Sequence, residues 1–353
     1  MKKKIMAAFL AAATAMTLLA GCSGGSDSGK DNQSSGSADS AEASDEGSGE
    51  LDTVNVAYMP NYASLWVVAT ADEKGYFEEE GIEVVMTKFD DGPTEIAAME
   101  SGSMDVAYIG PGAHTLAIQG NVDIFCFQQL GDADCVMGLK SHGVNSLEDL
   151  KGKKVAYASG TSSETILLRA LESVGLTMDD IEPYNMEVTN MPSAMISGSI
   201  DACAPWSPNT KVIQDELGDD AQIFVSNADF SDIAADPASW VCMPDYAEKN
   251  QELLVRFTKA LYKAMDFGAD EANYEEVAGY VANVTKTDVE AALGQTTDGA
   301  WITSEELLKE VEDGTIKGYY EIQQKNFLDA EKITEEVPVE DYVLFDIMTE
   351  AGK

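Results

Sequence analysis

Eight residues occur twice in this chain, 96 positions apart, and no other feature constrains the fold as much. Ala98-Met99-Glu100-Ser101-Gly102-Ser103-Met104-Asp105 and Ala194-Met195-Ile196-Ser197-Gly198-Ser199-Ile200-Asp201 agree at six of eight positions. In each copy the glycine can supply the left-handed residue that closes a helix, and a buried strand follows. A repeat of this kind in the middle of a chain implies two units built to one plan.

The surroundings repeat as well. In the first half, strands are expected at Val54–Met59, Glu83–Phe89 and Asp105–Ile109, each followed by a turn and a helical pattern. In the middle, strands are expected at Lys153–Ala158, Ile181–Val188 and Ile200–Ala204, again each followed by a turn. Short apolar runs alternating with amphipathic helices argue for α/β architecture with mainly parallel sheets. Two such lobes imply a cleft, and ligands of open α/β sheets bind outside the carboxyl ends of the strands. The six turns at those ends are therefore the candidate site. From Asp245 onward the pattern is helical: 245–270, 274–284, 287–293, 304–313 and 316–329, with Ser304 as an N-cap.

The first 50 residues are of another kind. Lys2, Lys3 and Lys4 precede an apolar Ala-rich stretch ending Leu19-Ala20-Gly21-Cys22, the pattern of a secretory signal. Of the 28 residues from Ser23 to Glu50, 22 are Ser, Gly, Asp or Glu. Such a segment cannot bury enough apolar area to offset chain entropy and reads as a flexible tether spanning on the order of 30 Å. The expected organisation is a signal peptide at 1–21, the cysteine and acidic linker at 22–50, a discontinuous first lobe at 51–139 plus 241–353, and a second lobe at 140–240. The chain carries 63 acidic against 22 basic residues, a formal charge of -41. That excludes nucleic-acid binding, which needs basic side chains, and attraction to anionic lipid.

The motifs resemble a known family. Ala71-Asp72-Glu73-Lys74-Gly75-Tyr76-Phe77-Glu78-Glu79-Glu80-Gly81-Ile82-Glu83-Val84 looks like a stretch of the nitrate/taurine/sulfonate-type substrate-binding proteins of ABC transporters. Leu147-Glu148-Asp149-Leu150-Lys151-Gly152-Lys153-Lys154-Val155-Ala156, Gly160-Thr161-Ser162-Ser163, and Asp201-Ala202 with Trp206-Ser207-Pro208 resemble further parts of it, in order. Leu19-Ala20-Gly21-Cys22 resembles the bacterial lipobox, which implies lipid on Cys22 and anchoring to the outer face of the cell membrane. The resemblance implies a type 2 periplasmic-binding-protein fold: two α/β lobes with the ligand cleft between them. It also implies capture of a small anionic or zwitterionic solute, such as a sulfonate or taurine, for an ABC permease. Pyrimidine or other heteroaromatic ligands are the alternative. A ligand sensor, or an enzyme on the same fold, are the others.

Candidate ligand-binding residues sit in the turns. Thr161, Ser162 and Ser163 offer hydroxyls and N–H groups at a helix start, a bed for an oxyanion or a plain N-cap. Trp206 can wall the ligand or pack in the core. Asn61, Tyr62 and Ser64 are turn residues with polar tips, and Gly110 opens the third turn. Asp91, with Asp90 beside it, either lines the cleft and receives an amine or ring donor, or is a solvated cap. Asn190 and Trp240 complete the set; Trp66 and Trp301 read as packing residues. Cys126 with Cys135, or Cys203 with Cys242, could pair in an exported protein; buried free thiols are the other reading. Two isolated histidines and no CxxC give no metal spacing. No nucleotide or nucleophile-elbow motif appears. No catalytic residue, metal or cofactor is expected.

Overall fold

The computed structural model describes residues 51–353. The signal peptide, Cys22 and the linker lie outside the described residues.

Two sheets organise the chain. The first comprises β1 (Asp52–Tyr58), β2 (Ile82–Lys88), β3 (Val106–Ile109), β4 (Asp123–Gly131), β10 (Pro237–Cys242) and β11 (Gly299–Trp301), in the order β11-β4-β10-β3-β1-β2. The second comprises β5 (Cys135–Leu139), β6 (Lys154–Tyr157), β7 (Glu182–Asn185), β8 (Ala202–Cys203) and β9 (Ala221–Ser226), in the order β7-β6-β8-β5-β9. All six expected strands form, most of them trimmed at the ends. In each sheet three are parallel, β2-β1-β3 and β7-β6-β8. Two antiparallel strands follow, β10-β4 and β5-β9. The parallel strands are separated by helices, as parallel pairing requires. The antiparallel ones arise because β4 runs directly into β5 and β9 into β10, carrying the chain from sheet to sheet.

Those passages fall at residues 131–135 and 226–237. The sequence pattern predicts them near Lys140 and Trp240. Apolar strands flank both passages, and the polar residues within them, such as Asp132, Asp134, Asp229 and Asp232, resemble those of any turn, so hydropathy alone does not mark where the chain changes sheets.

The eight-residue repeat has the same local structure twice. Gly102 and Gly198 are left-handed, with φ of 76° and 66°. Gly102 N–H donates to Met99 O and Ser103 N–H to Ala98 O; Gly198 N–H donates to Met195 O and Ser199 N–H to Ala194 O. These paired bonds are the helix-ending motif that left-handed glycine permits. Each repeat then places its aspartate on the neighbouring strand. Asp105 Oδ2 accepts from Asn55 N–H at 2.8 Å, and Asp201 Oδ2 accepts from Lys154 N–H at 2.8 Å.

The C-terminal helices clothe the first sheet. They run Pro244–Lys249, Gln251–Gly268, Tyr274–Thr285, Val289–Leu293, Ser304–Glu312 and Thr315–Asp329, with Phe345–Ala351 unforeseen. The 304–312 helix is capped by Thr303, one residue before the expected Ser304, in a capping box with Glu306. Leu254, Phe257, Leu261 and Met265 bury one face of the longest helix against the first core. A separate apolar cluster with Val136, Val155, Ile166, Leu167 and Ala202 packs one part of the second lobe, while Met137, Ala156, Met195 and Cys203 of that lobe join the first core.

Candidate functional site

The turns at the carboxyl ends of β1, β3, β6 and β8 converge on one cavity. Residues from both lobes line it, among them Asn61, Tyr108, Gly110, Asp134, Thr161, Ser162, Trp206 and Asp298. The space open to water is about 60 Å³, room for several waters at about 10–15 Å³ each. The lobes touch at its rim. A Cβ placed on Gly112 of the first lobe would lie 2.0 Å from the Thr161 carbonyl carbon and 2.3 Å from Ser162 N. Only a residue without a side chain fits there.

Five of the eleven candidates line the cavity: Asn61, Gly110, Thr161, Ser162 and Trp206. Asn61 Oδ1 also caps the Tyr62–Glu73 helix, accepting from Ser64 N–H at 2.8 Å. Thr161 caps the Ser162–Ser173 helix by accepting from Ser163 N–H. Ser162 Oγ donates to Asp134 Oδ1 at 2.6 Å.

The other six are placed elsewhere, each for a physical reason. Ser64 and Ser163 are both fully buried inside their own turns. Ser64 Oγ accepts from Met59 N–H, and Ser163 Oγ accepts from Ala158 N–H while donating to Ala204 O. Tyr62 turns into the core beside Trp301. Asp91 spends its carboxylate on Thr94 N–H as an N-cap; its neighbours Gly92 and Pro93 reach the cavity. Asn190 is exposed beside Glu187. Trp240 is fully buried, its Nε1–H donating to Gln128 Oε1 at 2.6 Å.

Three polar lining residues escaped the sequence reading. Tyr108 lies on β3, its hydroxyl accepting from Gln129 Nε2 at 2.8 Å. Gln129 in turn accepts from Trp66 Nε1–H, so a buried polar chain fixes the cavity floor. Asp134 sits on the passage from β4 to β5, a stretch read as an ordinary turn. Asp298 precedes β11, in a region without periodicity. Burial pushes the Asp134 carboxyl up to about 7; Asp236 adds to the rise, and Ser162, Asn227 and Arg169 oppose it. Burial likewise pushes Asp298 up to about 7, with Ser207 opposing and Asp132 adding. Glu95, fully buried on the Gly92–Glu100 helix, has no hydrogen-bond partner for either oxygen among the described residues, and burial raises it well above the ordinary range.

Among the described residues, no Lys, Arg or His lines the cavity. The nearby Arg169 donates through Nη1 to both Asp236 oxygens at 2.9 Å, bracing the passage between lobes. All four described cysteines are buried and free, so neither considered disulfide is present. Cys203 and Cys242 belong to different sheets. Among the described residues there is no metal-holding cluster of His, Cys, Asp and Glu, and no helix long and apolar enough to cross a membrane.

Residues 63–272 match the sequence profile of a family described as NMT1/THI5-like. The chain belongs to that family. It is 30% identical over 296 residues to a binding protein of Brucella abortus, covering 84% of this chain and 91% of the relative. It is 28% identical over 217 residues to the taurine-binding periplasmic protein of Escherichia coli, covering 60% and 65%. The alkanesulfonate-binding protein of Xanthomonas axonopodis, solved with MOPS bound, superposes with a TM-score of 0.63 at 19% identity, covering 84% of this chain and 99% of that one. The fold is that of the periplasmic binding proteins.

Proposed function

We propose that this protein is the extracytoplasmic solute-binding component of an ABC importer. Its lobes, divided where the chain passes between sheets, close over a small solute, and the closed form docks on the permease. One observation carries this reading: two lobes built on the same repeat direct the ends of their strands at a single cavity. The relatives' binding roles support it. Asn61, Tyr108, Gly110, Asp134, Thr161, Ser162, Trp206 and Asp298 are the residues that contact solute. The N-terminal sequence supports export and anchoring through lipid on Cys22. The function is binding without chemistry. The cavity offers hydroxyls, carboxyls and aromatic walls that can hold a solute.

The test is equilibrium binding joined to product analysis. Solute recovered from the protein unchanged, with affinity lost in Trp206→Ala, supports the reading. Recovery of a chemically altered solute with turnover contradicts it. Trp206→Ala should weaken binding by about tenfold or more, the loss expected for a well-buried aromatic contact.

A further inference from the structure

The resemblance to sulfonate and taurine binders points to an anion, but the cavity has little with which to hold one. Among the described residues, no cationic side chain lines it. Its helix starts have spent much of their donor capacity on their own caps. Ser64 N–H goes to Asn61, Thr94 N–H to Asp91, Ser163 N–H to Thr161, Gly160 N–H to Glu164, and Tyr62 N–H to Gln295. Pro93 and Pro111 have no N–H to give. An anion here would face two carboxyl groups instead.

Those carboxyls are themselves unusual. Asp134 is 5% exposed and lines the cavity. Neither Asp134 nor Asp298 has a salt-bridge partner among the described residues; Arg169 is committed to Asp236. Burying a carboxylate without a counter-charge is costly. A positive ligand group would remove that cost, and it would meet Trp206 and Tyr108, aromatic rings of the kind that attract cations.

We propose that the solute carried in this cleft is a small organic cation, an ammonium or amidinium compound, held by Asp134 and Asp298 against Trp206 and Tyr108. The proposal rests on the reading of the cleft as the solute site. The cation enters through its charge and its N–H donors, and Ser162, donating to Asp134 Oδ1, keeps that carboxyl aimed. The chain's formal charge of -41 favours the approach of such a ligand.

The experiment is calorimetric titration of the full chain with three probes of one size: benzamidinium, benzamide and benzenesulfonate. The expected result is at least tenfold tighter binding of benzamidinium than of either other probe. Asp134→Asn and Asp298→Asn should each weaken it by about tenfold without altering the fold seen by circular dichroism. Tightest binding of benzenesulfonate, or equal binding of benzamide and benzamidinium, overturns the cation while leaving the cleft as the site, provided Trp206→Ala weakens it. Binding of benzamidinium untouched by both aspartate variants overturns the assignment of its partners. No heat from any probe overturns both the ligand class and the cleft as the site for it.

Discussion

The two lobes share a frame and differ at the cleft. In both, a left-handed glycine ends a helix, a repeated aspartate accepts from the adjacent strand, and a buried serine ties the first turn by accepting a backbone N–H. Strand order agrees as well, once β11 is set aside. At the cavity the likeness ends. The first lobe offers Asn61, Tyr108 and the bare backbone of Gly110. The second offers Thr161, Ser162 and Trp206, and the passage between them carries Asp134. The repeat therefore specifies where strands end, while the residues just beyond those ends specify what is bound.

The largest effect is expected at the rim, where the first lobe must present a bare backbone to the second. Gly112→Ala should hold the lobes apart and weaken solute binding about a hundredfold, with thermal stability little changed. Unaltered affinity would mean that closure does not bring these loops together.

Next come the repeated aspartates. Asp105→Ala should cost about 2 kcal/mol in denaturant unfolding, since it strands a partly buried N–H. Asp201→Ala should cost about 1 kcal/mol, because its site is more exposed. Burial pushes the Asp201 carboxyl up, but the bonds from Lys154 N–H and His142 outweigh it and hold it below the ordinary 3.8. Its contribution is thus present above that value and fades as pH falls through the lower folded one. A reversed order of the two costs would contradict the greater burial of the Asp105 site.

Asp134 and Asp298 should act with the opposite sign. Each keeps its proton in the folded state up to about 7, whereas the unfolded carboxyl releases it near 3.8. Stability should therefore fall as pH rises between those values, by up to about 1.4 kcal/mol per pH unit for each group. Burial also raises the Asp132 carboxyl nearby, which adds to the slope in the same direction. Asp134→Asn should flatten it, and an unchanged slope would place the titration elsewhere. Smallest of all, Asn190→Ala should leave both binding and stability within error, as an exposed side chain outside the cavity.

Much of the frame was legible in the sequence because periodicity and glycine stops report local backbone geometry. Gly102 and Gly198 marked two helix ends, and the six parallel strands followed from short apolar runs. The passages between sheets were misplaced because β4–β5 and β9–β10 stay apolar on both sides of the change. The site was partly legible. Thr161, Ser162 and Trp206 lie in turns whose position the strands dictate. Ser64 and Ser163 carry the same residue type, but their hydroxyls are consumed by Met59 and Ala158, which no spacing rule reveals. Asp134 and Asp298 were hidden for another reason. In a chain with 63 acidic residues, a carboxylate becomes notable only when its burial and lack of a cation are known.

Hydrogen exchange on the full chain, with and without saturating amounts of whichever of the three probes binds tightest, tests the cleft most directly. Solute held between the lobes should slow exchange together in residues 59–64, 108–113, 131–135, 159–163 and 204–207. Protection confined to one lobe, or appearing only away from these turns, would contradict it.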